Sequence, residues 1–105
     1  MIHQPSIIHQ SIICEAIQKR ACLRFQYQGL ARVVAPYCHG FTKQGVEVLR
    51  AIQLSGGSHR GGLGFGKLWV VAAMQDVAIL PQAFLPDDPN YNPRDTALRV
   101  IHCHV

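Results

Sequence analysis

Two short motifs contain the residue types most often used for chemistry, and the first is the glycine-rich run from Gly61 to Lys67. Its spacing, Gly61-x-x-x-x-Gly66-Lys67, has most of a phosphate-binding loop. Such a loop needs Ser or Thr after the lysine to coordinate magnesium, and a helix that begins there to face the phosphate. Leu68 follows instead, and the next residues are typical of a strand. The run therefore predicts a loop that can close over a ligand, not a nucleotide triphosphatase.

The second motif is His102-Cys103-His104, near the end of the chain. On a strand, the two imidazoles would lie on one face, about 7 Å apart. A zinc site usually has three or four ligands, with close pairs among them, and the neighbouring sequence offers no others. The remaining cysteines and His39 are distant along the chain. We therefore expect Cys103 in the core, both histidines exposed, and no metal or other cofactor.

No catalytic constellation emerges from the remaining polar residues. Asp87 and Asp88 lie in a proline-rich loop, where carboxylates are usually solvated, and no nucleophile elbow is present. Cys38 and His39 are adjacent, so strand alternation would point them to opposite faces and prevent a Cys–His pair. The sequence predicts a protein that is not an enzyme.

Length and charge set broad limits on the partners. The 105 residues (11.6 kDa) predict one domain, 1–105, with a modest core. The net charge of +4 is uneven: residues 1–75 contain eight basic and two acidic residues, whereas the last thirty contain two basic and four acidic. An anionic partner is therefore expected to bind the first three quarters of the chain.

The apolar runs and the cysteines indicate where in the cell the protein is expected. The longest apolar run, from Leu68 to Met74, has the length of a strand and is far below the roughly 18 residues of a membrane span. The four cysteines form no C-x-x-C pair, and no secretory signal precedes them. We expect reduced thiols, a cytoplasmic location and no membrane association.

The periodicity predicts one helix followed by several short strands. Apolar residues recur every three or four positions over 6–20, which is typical of an amphipathic helix. Strands are then predicted over 21–27, 32–37, 46–54 and 67–74, within a β region spanning 21–84 that includes a glycine-rich loop at 55–66. Pro36 implies an edge strand or a bend. Residues 85–105 form a loop and a terminal segment that is a strand or a short helix. This order predicts a mainly β (α+β) fold, a small and strongly bent antiparallel sheet or barrel with an N-terminal helix.

Arg50 departs from the pattern of its strand. In a strand, Arg50 would point to the same face as Val48 and Ile52, so a charged residue stands among apolar ones. A charged side chain is rarely buried without a partner. We expect Arg50 to pair with Glu15, Glu47 or Asp76, or with an external anion.

Several segments, in order, resemble the WYL family. They are L-R-F-Q-Y-Q-G at 23–29, R-V-V-A-P-Y at 32–37, G-x-E-V-L-R-A-x-Q at 45–53, G-x-x-W at 66–69 and Y-N-P-R-D at 91–95. The W-Y-L triplet itself falls at residues 47–49 and keeps only Leu49, so the chain is similar to short, divergent members. The resemblance implies an Sm-like β-barrel with a basic pocket that senses a nucleic-acid-like ligand. One predicted helix before the first strand is too little for a helix-turn-helix reader, which puts direct promoter binding in doubt.

The resemblance also implies which residues would bind the ligand. Tyr27 matches the aromatic residue that ends the first strand and Arg32 the arginine that opens the second. Arg50 follows the triplet position, and Lys67 begins the next strand. Guanidinium groups recognise phosphates and stack on bases, and a tyrosine ring offers a π-face, so these four residues would line one mouth. Equally, Tyr27 could be core and both Arg32 and Lys67 solvated.

Two functions remain open at this stage. The first is a non-enzymatic, ligand-sensing or accessory regulatory domain that binds a nucleotide or single-stranded nucleic acid. The second is a protein-interaction module, such as a homodimer, in which the basic residues only aid solubility. An exposed aromatic group among Leu63, Phe65 and Trp69 would favour the second, whereas a monomer would keep Trp69 in its core.

Overall fold

The computed structural model describes the backbone of residues 5–57 and 67–105, and the side chains of this part from Gln10 onward. In this part of the chain, one helix is followed by six strands and one 3-10 turn between the fourth and fifth strands. In chain order these elements are α1 (Pro5–Lys19), β1 (Ala21–Tyr27), β2 (Leu30–Phe41), β3 (Glu47–Gly56), β4 (Lys67–Val70), the 3-10 turn (Val71–Ala73), β5 (Gln75–Ala83) and β6 (Val100–His104).

The helix α1 ends where the sequence changes from helical to strand periodicity. Arg20 takes a left-handed conformation (φ 56°), and its N–H donates to the carbonyl of Ile17. This closes the last turn and leads the chain directly into β1. Ile13, Ala16 and Ile17 are fully buried, so the predicted apolar stripe is the face that packs on the sheet.

All strand pairs are antiparallel, and the sheet order is β4-β3-β2-β1-β5, with β6 paired to β2 beside the end of β1. The predicted mainly β fold with one N-terminal helix is confirmed. Among the described strands, β4 and β5 each pair with one neighbour, so the sheet is open and a closed barrel is not confirmed. No helix of the described part is long and apolar enough to cross a membrane.

The bend expected at Pro36 occurs inside a central strand. The register of β2 against β3 shifts between Pro36 and Cys38, so one residue of β2 is unmatched. Such a bulge changes which residues face each side of a strand. Val34 and Pro36 share the helix-covered face before the bulge, whereas His39 takes that face after it and Cys38 points away.

Two apolar clusters follow from this arrangement. The larger lies between α1 and the sheet and is built around Trp69, Phe25 and Leu49. The smaller lies on the opposite face, where Cys38 and Val48 pack against Leu98. In the following sections the side covered by α1 is called the inner face and the other the outer face.

Candidate functional site

Arg32 is a buried arginine at the end of the sheet where β1 and β2 meet. It lies opposite Phe25 on the inner face and is only 2% exposed. One terminal nitrogen, Nη2, donates to the carbonyl of Tyr27 at 3.0 Å, but Nε has no hydrogen-bond partner. No ion pair within the described part of the chain includes Arg32. Its charge is therefore held out of water without a carboxylate.

Two aromatic rings flank this guanidinium. Its central carbon is 5.7 Å from the ring centroid of Tyr27 and 5.5 Å from that of Trp69. The two rings meet edge to face at 5.0 Å, and Lys67 Nζ lies 5.4 Å from the Trp69 ring. Contacts of this kind stabilise a cation by about 0.5 to 2 kcal/mol, so the aromatic groups partly compensate for the buried charge.

The structure thus brings three of the four predicted site residues together. We call Tyr27, Arg32, Lys67 and Trp69 the Trp69 cluster. Trp69 is 2% exposed and donates from Nε1 to the carbonyl of Ala51 at 3.3 Å. Trp69 therefore lies in the core, as expected if the protein is a monomer. Leu63 and Phe65 lie outside the described residues. The sequence signal for Trp69 was available, because it has the same strand parity as Lys67.

Arg50 does not join this cluster. Leu49 and Ala51, its neighbours in β3, both enter the inner core, so Arg50 points to the outer face. There its Nε and Nη2 donate to the two carboxylate oxygens of Asp95 at 2.6 and 3.0 Å. The expected partners Glu15, Glu47 and Asp76 were wrong; the acid comes from the loop before β6. The four residues therefore do not line one mouth.

The ion pair has a clear electrostatic effect on Asp95. The hydrogen bonds from Arg50 lower the pKa of this carboxyl, burial opposes the shift, and the backbone N–H of Ala97, at 3.1 Å, supports it. Asp95 is 8% exposed. Because a bidentate pair satisfies both oxygens, the charge of Arg50 is neutralised within the fold.

A second group of chemically active side chains lies where α1, β2 and β6 meet. We call Cys14, His39, His102 and Cys103 the sulfur–imidazole cluster, since one ligand atom of each lies within 4.8 Å of all the others. Cys14 and Cys103 form a disulfide, whereas Cys22 and Cys38 are free and buried. The expectation of four reduced thiols was wrong for this pair. His39 is 63 residues from His102, and Cys14 is 89 residues from Cys103. No local motif could indicate partners so far away in the chain.

His39 is the innermost member of this cluster. It is fully buried, its Nε2 lies 2.7 Å from a carboxylate oxygen of Glu47, and its Nδ1 lies 3.3 Å from Nδ1 of His102. Burial lowers the pKa of His39, although Glu47 acts in the opposite direction. The hydrogen bond to Glu47 fixes the ring so that Nδ1 faces the sulfurs.

Cys38 lies next to His39 in β2 but does not belong to the sulfur–imidazole cluster. Burial raises its pKa to about 11, and it faces Tyr91, whose pKa burial raises to about 12. A thiol with so high a pKa is protonated at neutral pH and is a poor nucleophile. As the alternation predicted, Cys38 and His39 lie on opposite faces.

No protein-family model, curated protein or solved structure matches this chain. The WYL-like identity expected from the motifs therefore stays a proposal. What can be concluded about function depends on the two clusters themselves.

Proposed function

We propose that this protein is a non-enzymatic binding domain that takes up an anionic, nucleotide-containing ligand at the Trp69 cluster. The observation that carries the proposal is Arg32, a buried arginine that has no carboxylate partner and no partner for Nε among the described residues. A buried charge costs several kcal/mol unless it is paired. A bound phosphate would supply the missing counter-charge, and a guanidinium can receive it through two hydrogen bonds.

The neighbours of Arg32 suit a nucleotide better than a simple anion. Tyr27 and Lys67 are half-buried, so the cluster reaches the surface at these two residues. Base stacking on an aromatic side chain contributes about 1 to 3 kcal/mol per base, while the two cations would attract phosphate. These are the two interactions that nucleotide and single-stranded nucleic-acid sites combine.

The proposal keeps the wider expectations of the resemblance. These are a WYL-like sensor or accessory role and an Sm-like barrel; the cytoplasmic location, expected from the cysteine pattern, is proposed with them. It removes Arg50 from the ligand site, because Asp95 already pairs with that guanidinium on the outer face. Arg32 becomes the central residue instead.

The test is a titration that uses the fluorescence of Trp69, the only tryptophan. The probes are short single-stranded DNA, short single-stranded RNA and a mononucleotide, each at low and high salt. We expect saturable binding that weakens steeply with salt, since phosphate contacts release counterions. The three probes distinguish a strand from a single nucleotide.

Matched arginine variants locate the site. Arg32→Met should abolish binding, whereas Arg24→Met should not, because Arg24 is exposed on the outer side of the same hairpin. Both variants must retain the far-ultraviolet circular dichroism of the wild type. Absence of binding at low salt, or equal loss in both variants, would overturn the proposal.

A second candidate function, a protein-interaction or homodimerisation module, has its own supporting observation. Leu54, Leu68 and Val70 are exposed on the outer face of β3 and β4, and β4 pairs only with β3 among the described strands. An exposed strand edge beside apolar side chains favours association. Sedimentation equilibrium would show a dimer that persists at high salt and is lost in Leu68→Glu; a monomer under all conditions excludes this candidate.

A further inference from the structure

We propose that the sulfur–imidazole cluster is a zinc site: when Cys14 and Cys103 are reduced, these two thiolates and His39 and His102 bind one Zn²⁺. The inference is independent of the anion site, because the two sites share no residue. Two thiolates and two imidazoles are a ligand set typical of structural zinc. The soft sulfur and intermediate nitrogen donors favour Zn²⁺ over Mg²⁺ or Ca²⁺, which prefer oxygen.

Two of the distances between donor atoms match a tetrahedral ion, and the two sulfurs, which are bonded to each other in the disulfide, must move apart after reduction to reach such a distance. With Zn–N bonds of about 2.0 to 2.1 Å and Zn–S bonds of about 2.3 Å, neighbouring donors of a tetrahedron lie roughly 3.3 to 3.8 Å apart. Nδ1 of His102 is 3.3 Å from Nδ1 of His39 and 3.3 Å from Sγ of Cys14. All four donors lie within 4.8 Å of one another. Small side-chain movements would therefore complete the site.

The surroundings of His39 are those of a metal ligand. Nε2 of His39 lies 2.7 Å from the Glu47 carboxylate, so Nε2–H can donate there while Nδ1 binds the ion. A carboxylate on the outer nitrogen is the usual support of a metal-binding histidine. For His102, the amide nitrogen of Gln10 lies 3.1 Å from Nδ1 and 3.3 Å from Nε2, so the ion would replace this amide as the partner of Nδ1.

The disulfide and the zinc site exclude each other, since both use the same two sulfurs. A dithiol reductant supplies two electrons and two protons to the Cys14–Cys103 bond, giving two thiols while the dithiol becomes a disulfide. Binding of Zn²⁺ then releases the two thiol protons. In either state α1 is tied to β6, across 89 residues of chain. Four protein ligands leave no open position, so the ion is structural and not catalytic.

The experiment uses the full chain, reduced with a dithiol, freed of the dithiol under nitrogen, and shown by thiol titration to have four free cysteines. It is titrated with Co²⁺ and then with Zn²⁺. We expect one Co²⁺ per chain, with the visible absorption of tetrahedral cobalt and a sulfur-to-cobalt charge-transfer band. One equivalent of Zn²⁺ should abolish both signals. The oxidised protein should give no charge-transfer band.

Variants separate this site from adventitious binding. Cys14→Ser and His39→Gln should lose the charge-transfer band or the tetrahedral spectrum, and Glu47→Gln should weaken binding by roughly 10-fold. The controls are Cys22→Ala, a free cysteine, and His104→Gln, whose ring contacts the carbonyl of Val105. Both should bind like the wild type.

One measurement uses only the wild-type protein, so it tests the proposal even if some variants fail to fold. Reduced wild-type protein is alkylated with and without Zn²⁺, and the modified cysteines are identified by mass spectrometry. Zinc should protect Cys14 and Cys103 and leave the reactivity of Cys22 and Cys38 unchanged. Absence of a charge-transfer band in the reduced wild type, or protection that does not include Cys14 and Cys103, overturns the proposal.

Discussion

Arg32 and Arg50 are two arginines in strands of one sheet, and their environments are opposite. Arg50 lies on the outer face and is held bidentately by Asp95, whereas Arg32 lies on the inner face, 2% exposed, between two aromatic rings. The apolar parity of β3 singled out Arg50, yet that charge is satisfied within the fold. Arg32 was predicted to bind the ligand, with a solvated strand residue as the alternative, and among the described residues it is the arginine buried without an acid. The comparison shows that strand parity alone does not reveal whether the fold brings a carboxylate to an arginine.

The largest expected difference between the two arginines is in stability. Arg50→Leu leaves Asp95, which is 8% exposed, without its main partner, and breaking a buried pair on one side is costly. We expect the free energy of unfolding to fall by about 3 kcal/mol, measured by urea denaturation. Arg24→Leu, at an exposed site, should stay within about 0.5 kcal/mol. A loss below about 1 kcal/mol for Arg50→Leu would mean that the ion pair contributes little.

The pH dependence of stability sharpens the same comparison. Arg50 lowers the pKa of Asp95 in the folded protein, so the stabilisation is complete above the ordinary carboxyl pKa of about 3.9 and is lost as the pH falls through the lower folded value. Urea midpoints of wild type and Asp95→Asn should therefore converge below about pH 4. A gap between them that is constant from pH 6 to pH 2 would contradict this assignment.

Arg32→Met is expected to change the stability far less than Arg50→Leu. An apolar side chain of similar length removes an unpaired buried charge, at the cost of one hydrogen bond to Tyr27 and the contacts with the rings. Replacing buried charges with apolar groups is often neutral or stabilising. We expect a change within about 1 kcal/mol in the ligand-free protein, by urea denaturation, while anion binding is lost. A loss as large as that of Arg50→Leu would make Arg32 a structural residue.

The local features of the fold were predictable because they depend on neighbouring residues. The helical stripe around Ile13 and Ile17, the alternation of β1 and the turn at Gly29 all follow from residue periodicity and turn chemistry. Their positions agree with the structure. The strand after Thr42–Gly45 likewise starts where the turn residues end.

The candidate sites were only partly predictable. The cluster formed by Tyr27, Arg32 and Lys67 follows from positions matched to the family pattern, since adjacent strands bring these ends together. Asp95 as the partner of Arg50 did not follow, because loop residues have no periodicity that reveals what they contact. Pro36 indicated an edge strand or a bend but did not indicate which residue would be left unmatched, and this bulge decides that His39 shares the inner face with Arg32 while Cys38 does not.

The sequence by itself determined the order of one helix and several antiparallel strands, the basic excess of the first three quarters, and the identity of the cations near Tyr27. Only the tertiary structure decided which charges are paired and which donors meet. Cys14, His39 and Cys103 are far apart in the chain and converge because α1 packs across the sheet beside β6. Periodicity records which face a residue takes within its own element; it contains no information on which element that face will meet.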